Sequence, residues 1–166
     1  LRALVFCFLF LAAPVLAARH ALVIGQGAYS DLADLRNTVA DAEGYRGALA
    51  ALGYDVAFHR DLSTDAFDEA LADFLDKLQP GDDAAFVFAG HGWSVDGVNY
   101  LLPTDMPSGG SSRLLARRSI ALKNGVNGVM DEIAATGASF SLAIIDACRD
   151  HPLAAAGHTP SARASR

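Results

Sequence analysis

Cysteine is almost missing from this chain: Cys7 and Cys148 are the two among 166 residues. Cys7 lies in an N-terminal apolar segment, so the body of the protein holds a single thiol and no internal disulfide can staple it. Basic residues are also scarce, 13 against 19 acidic ones, giving a formal charge of −6. That balance gives no support to nucleic-acid binding, which favours extensive basic surfaces. The N-terminal apolar stretch falls short of the roughly 20 residues a spanning helix needs. His20, His59, His151 and His158 show no ligand spacing with Cys148, so no metal centre is expected. Gly25-Gln26-Gly27-Ala28-Tyr29 lacks the third glycine of a dinucleotide loop and reads as a turn, and no cofactor is expected.

What is present is apolar: 52% of residues are hydrophobic, enough for one compact domain with a real core. Arg2, the apolar run Ala3 to Ala13 and Val15-Leu16-Ala17 have the layout of a secretory signal peptide over 1–17. A signal anchor or an ordinary buried segment are the alternatives. The signal implies a secreted or periplasmic protein with no membrane attachment after cleavage. The domain then spans 18–153. Residues 154–166 are Ala, Ser, Gly and Arg without periodicity and are expected to be disordered.

Within the domain, Ala21 to Ile24 reads as a buried strand. A helix follows with the stripe Val39, Ala42, Tyr45, Leu49 and Leu52, capped at Asn37 or Thr38 and stopped by Gly53. Tyr54 to His59 is a strand, and Ser63 or Thr64 caps a helix with Phe67, Ala70, Leu71, Phe74, Leu75 and Leu78 on one face. Ala84 to Ala89 is a buried strand ending at Gly90-His91-Gly92. Asp96-Gly97 suits a hairpin turn, and Pro103 to Ser112 reads as a loop. Arg113, Arg117 and Arg118 form a basic patch on the surface. Ile120, Leu122, Val126, Val129, Met130 and Ile133 suggest a helix interrupted by Gly125 and Gly128. Phe140 to Ile145 is a last strand, emptying into Asp146-Ala147-Cys148-Arg149-Asp150. Alternating strands and helices imply an α/β three-layer sandwich around a mainly parallel sheet.

One strand thus delivers His91 and another Cys148, each at a carboxyl end, where open α/β sheets bind ligands. A thiol and an imidazole brought together there suffice for nucleophilic catalysis. An inert buried cysteine and a surface histidine are the bland alternatives. Asp41, in the first turn of its helix, reaches the same rim, although the helix dipole alone would explain a carboxylate there.

The motifs Ala89-Gly90-His91-Gly92 and Ile145-Asp146-Ala147-Cys148-Arg149-Asp150 resemble those of bacterial caspase-like, metacaspase-related cysteine peptidases. Their histidine and cysteine stand 57 positions apart, near the spacing of about 50 that caspases show. The likeness extends through Val23-Ile24-Gly25, Tyr29, Asn37 to Ala42 and Asn99 to Pro103. It implies a caspase-haemoglobinase-like fold and an endopeptidase acting on peptide or protein substrates. Cys148 would be the nucleophile, His91 the acid–base, and the Gly92 and Cys148 N–H groups the oxyanion hole. Asp41 and Asp146 match positions that bind Arg or Lys before the scissile bond. Arg36 is the competitor: facing the pocket, it would favour acidic side chains instead. Asp96, Asp105, Asp131 and Glu132 are too scattered for the family's calcium cluster. The family domain normally continues beyond the cysteine, so the last strands are expected to be lacking. The alternative reading is therefore a truncated, inactive caspase-like module that binds a small-subunit segment or a second copy of itself.

Overall fold

The computed structural model describes residues 17–148. The expected signal peptide over 1–17 and tail over 154–166 lie, but for Ala17, outside them, as do His151 and His158. Strand β1 (Arg19–Gly25) leads to helix α1 (Thr38–Ala51), β2 (Asp55–Arg60), α2 (Thr64–Leu75) and the long β3 (Asp83–Val95). Then come β4 (Val98–Leu101), α3 (Ser112–Arg118), β5 (Ile120–Ala121), α4 (Val129–Ala135) and β6 (Phe140–Cys148).

β1 is flanked by β2 and β3, both parallel to it, and β6 pairs parallel with the outer side of β3. Because β2 and β3 leave β1 in opposite directions, a switch point opens at the carboxyl end of β1. The sheet as a whole is mixed, which corrects the expectation of a mainly parallel one. Beyond Gly92, β3 pairs antiparallel with β4, and β4 with β5. The physical reason is the Asp96-Gly97 turn, whose residues both adopt positive φ and fold the strand straight back. Six strands are present among the described residues, against the expectation that the last ones would be lacking.

The layers follow from strand alternation. Ala21, Val23, Ala85, Val87 and Ala89 face α1, through Ala42 and Leu49. Leu22, Ile24, Phe86 and Phe88 face α2 and α4, through Phe67, Phe74, Val129 and Ile133. Each fully buried large side chain of this kind contributes about 1.5–3 kcal/mol relative to exposure. Ser63 caps α2, its hydroxyl accepting from the Ala66 N–H. At α1 the Thr38 hydroxyl instead donates to the Gln26 carbonyl, tying the helix to the end of β1. No helix among the described residues is long and apolar enough to cross a membrane.

Three local expectations are corrected. Leu52 does not join the α1 stripe; it caps the helix and is 62% exposed. Ser112 to Arg118 is helical, with Ser111 as its cap, so Arg113, Arg117 and Arg118 ride on α3. Ile120 to Ile133 is not one helix but β5, a loop and α4. The Asn124 side chain accepts three backbone N–H groups of that loop, and Gly128 abuts the Lys123 backbone so closely that no Cβ would fit.

Candidate active site

Neither His91 nor Cys148 stands in a loop. Both remain on their strands, and the register pairs them with each other on the last rung of the β3–β6 ladder among the described residues. Adjacent strands put their backbones about 4.8 Å apart. Pleating gives His91 the phase of Val87 and Ala89, whose side chains face α1. Position 148 has the phase of Leu142 and Ile144, which pack on that same cluster. The next residue of β3, the buried Gly92, opens its antiparallel pairing with β4.

His91 is half-buried and tightly surrounded. Its Nε2 lies 2.8 Å from the Ala33 carbonyl oxygen. A carbonyl only accepts, so this bond assigns the proton of the neutral ring to Nε2 and the lone pair to Nδ1. The Tyr29 ring packs on the imidazole, 4.7 Å between centroids and tilted by 57°. The His91 backbone N–H donates to the Tyr29 hydroxyl at 2.9 Å. Burial pushes the Tyr29 phenol far above its ordinary range, so the hydroxyl stays neutral. Gly90 is required by this crowding: a Cβ would lie 2.8 Å from the Tyr29 hydroxyl and 2.7 Å from the Phe88 ring.

Asp41 and Asp146 come together. They line one open cleft of 460 Å³ with Ala40, Gly44, Tyr45 and Ala48. Asp146 lies two positions before Cys148 and opposite Ala89, on the α1 side of the sheet. Arg36, the competing cation, is exposed in the turn before α1. Two other cavities flank the sheet. One of 200 Å³ is lined by Gly92, Trp93, Tyr100, Leu122, Ile145 and Ala147. A larger one of 530 Å³ holds Asp68, Glu132 and Arg117. The carboxyls of Asp68 and Glu132 are both pushed up, mainly by burial and then by neighbouring carboxylates.

The loop from β1 to α1 contributes groups that residue-type reasoning passes over. The Ala33 carbonyl has no side-chain signature, and Asp34 and Asp61 look like ordinary loop acids. Asp61 accepts from the Gly27 and Ala28 N–H groups, and Asp34 from the Tyr29 N–H. Asp105 accepts from the Thr64 N–H at the start of α2, and Asp131 from the Asn124 and Gly125 N–H groups of the loop before α4. Compared with known families, residues 18–165 match the model of the peptidase C14 caspase domain. Comparison with curated proteins gives no match.

Proposed function

The chain belongs to the caspase-domain family, and on that premise we propose that it is a cysteine endopeptidase with Cys148 as nucleophile and His91 as acid–base. The observation that carries this reading is the shared rung of His91 and Cys148 on the β3–β6 ladder. The Cys148 thiol gives its proton to the bare Nδ1 of His91, and the sulfur attacks the scissile carbonyl. The imidazolium returns that proton to the departing amine, and water then releases the acyl group from sulfur. The resemblance to caspase-like peptidases makes the Gly92 and Cys148 N–H groups the oxyanion donors; such a donor is worth about 3 kcal/mol in related acyl transfers.

The residue before the scissile bond is Arg or Lys, held by Asp41 and Asp146. Their common cleft beside the rung supports this preference, since a buried cation needs carboxylate partners. The N-terminal apolar segment supports export to a secreted or periplasmic location. The test is hydrolysis of fluorogenic peptides ending in Arg, Lys or Asp by the full chain. Arg and Lys substrates are expected to turn over, with activity abolished in Cys148→Ala. Turnover that survives this substitution overturns the assignment.

A second reading has its own observation. β6 pairs with β3 alone among the described residues, and Phe140 at its start is 50% exposed. Such an edge suits a non-hydrolytic module that pairs with a further segment or a second copy. It requires no turnover with Cys148 intact, together with oligomerisation on size-exclusion chromatography.

A further inference from the structure

We infer that Tyr29 and Asp34 are positioning residues for His91, fixing the height and the tautomer of its imidazole through the backbone around it. This rests on the reading of His91 as the acid–base. In a regular antiparallel rung His91 and Leu102 would exchange two direct hydrogen bonds. One is direct, from the Leu102 N–H to the His91 carbonyl at 3.0 Å. The reciprocal bond is relayed: the His91 N–H donates to the Tyr29 hydroxyl at 2.9 Å, which donates to the Leu102 carbonyl at 3.3 Å. Tyr29 is thus a spacer built into the sheet at the histidine itself. Without its hydroxyl, a buried donor and acceptor lose their partner or close on each other, and either outcome moves the ring.

The second hold comes from the same loop. The Asp34 carboxylate accepts the Tyr29 N–H at 2.9 Å, closing residues 29–34 into a tight arc. The Leu35 N–H donates to the Gly27 carbonyl at 2.9 Å, and the Ser30 N–H to the Thr104 carbonyl at 2.9 Å. The arc presents the Ala33 carbonyl to Nε2 from one side and the Tyr29 ring from another. Asp34 is exposed, and its carboxylate bonds the Tyr29 N–H rather than the imidazole, so it acts by holding the arc. With the Nε2 proton committed to Ala33, Nδ1 is kept as the proton acceptor.

The experiment is long-range ¹H–¹⁵N NMR of the ¹⁵N-labelled full chain, with the His91 signals assigned by their loss in His91→Asn. The native ring is expected as one Nε2–H tautomer whose ring proton exchanges slowly with water. In Tyr29→Phe and in Asp34→Ala, exchange of that proton is expected to quicken about tenfold, with a second tautomer appearing. Asp34→Asn, which keeps an acceptor oxygen, is expected to restore the native pattern. In peptide hydrolysis kcat is expected to fall by a similar factor while KM holds. Should Tyr29→Phe not fold, Asp34→Ala in the exposed loop decides the matter. An unaltered ring signal and exchange rate in folded Asp34→Ala overturns the inference. If the native chain cleaves no peptide but its ring signals respond as expected, the peptidase reading falls and the positioning of His91 stands.

Discussion

Two of the clefts among the described residues set a helix carboxylate beside one from a second helix or a strand, and they differ in almost everything else. The larger sets Asp68 of α2 and Glu132 of α4 in a 530 Å³ space that also contains Arg117. There burial raises both carboxyls, with repulsion added at Asp68 by Asp65 and at Glu132 by Asp68 and Asp131. The smaller, more open cleft sets Asp41 of α1 beside Asp146 of β6 and brings no cation of its own. It is the one that adjoins the His91–Cys148 rung. On the proposed peptidase reading, the chemistry lies beside the smaller cleft, whose charges abut the His91–Cys148 rung and lack an internal counter-ion.

The comparison breaks most sharply at the rung. Cys148→Ala is expected to abolish turnover of an arginyl substrate, and His91→Asn to lower its kcat/KM by about 10²–10⁴. Next in size, Asp41→Asn and Asp146→Asn are each expected to raise KM for that substrate about 10–100-fold, the worth of one charge-assisted hydrogen bond. Asp68→Asn and Glu132→Gln in the other cleft are expected to leave KM unchanged. Equal effects from both pairs would dissolve the distinction.

A finer test uses two glycines of α1. Gly44 and Gly47 both sit inside the helix, and a Cβ at either would meet nothing within 4 Å. Alanine at each should therefore stabilise the fold by about 0.5–1 kcal/mol, read from denaturant midpoints. Gly44 lines the Asp41 cleft, so Gly44→Ala should also weaken arginyl substrate binding a few-fold, whereas Gly47→Ala should not.

The smallest effect is a pH dependence. A carboxyl raised in the folded state contributes stability below its unfolded pKa and loses it as pH rises through the folded value. Thermal melts of Glu132→Gln should thus match the native chain in acid and exceed it slightly at neutral pH. Asp82 behaves oppositely. The Gln79 and Ala18 N–H groups hold its carboxyl low, so its contribution is present above its unfolded pKa and disappears as pH falls through the folded one.

Much of this arrangement is legible in residue patterns, and the exceptions have physical causes. Ala21 to Ile24 and Ala84 to Ala89 are unbroken apolar runs, and Phe67, Ala70, Leu71 and Phe74 recur at helical spacing, so core strands and α2 are plain. Strand–helix alternation is enough to bring Asp41, His91 and Cys148 to one rim. The reach of β3 through Gly90-His91-Gly92 is not legible, because two glycines disfavour a strand until neighbours pair with it. The Ile120 to Ile133 stretch has helical spacing, yet the Asn124 and Asp131 side chains draw its middle into a knot of backbone donors. The holds on His91 come from a carbonyl and a hydroxyl across the sheet, and local pattern carries no trace of either.

The tightness at Gly90 has a last consequence for how this protein can vary. One methyl group there would have to wedge between the Phe88 ring and the Tyr29 oxygen, lifting the strand and tipping the imidazole out of line. A residue with no side chain of its own is then held in place by crowding alone. A survey of substitutions should find alanine at 90 as damaging to turnover as loss of the histidine beside it, in a molecule that still folds.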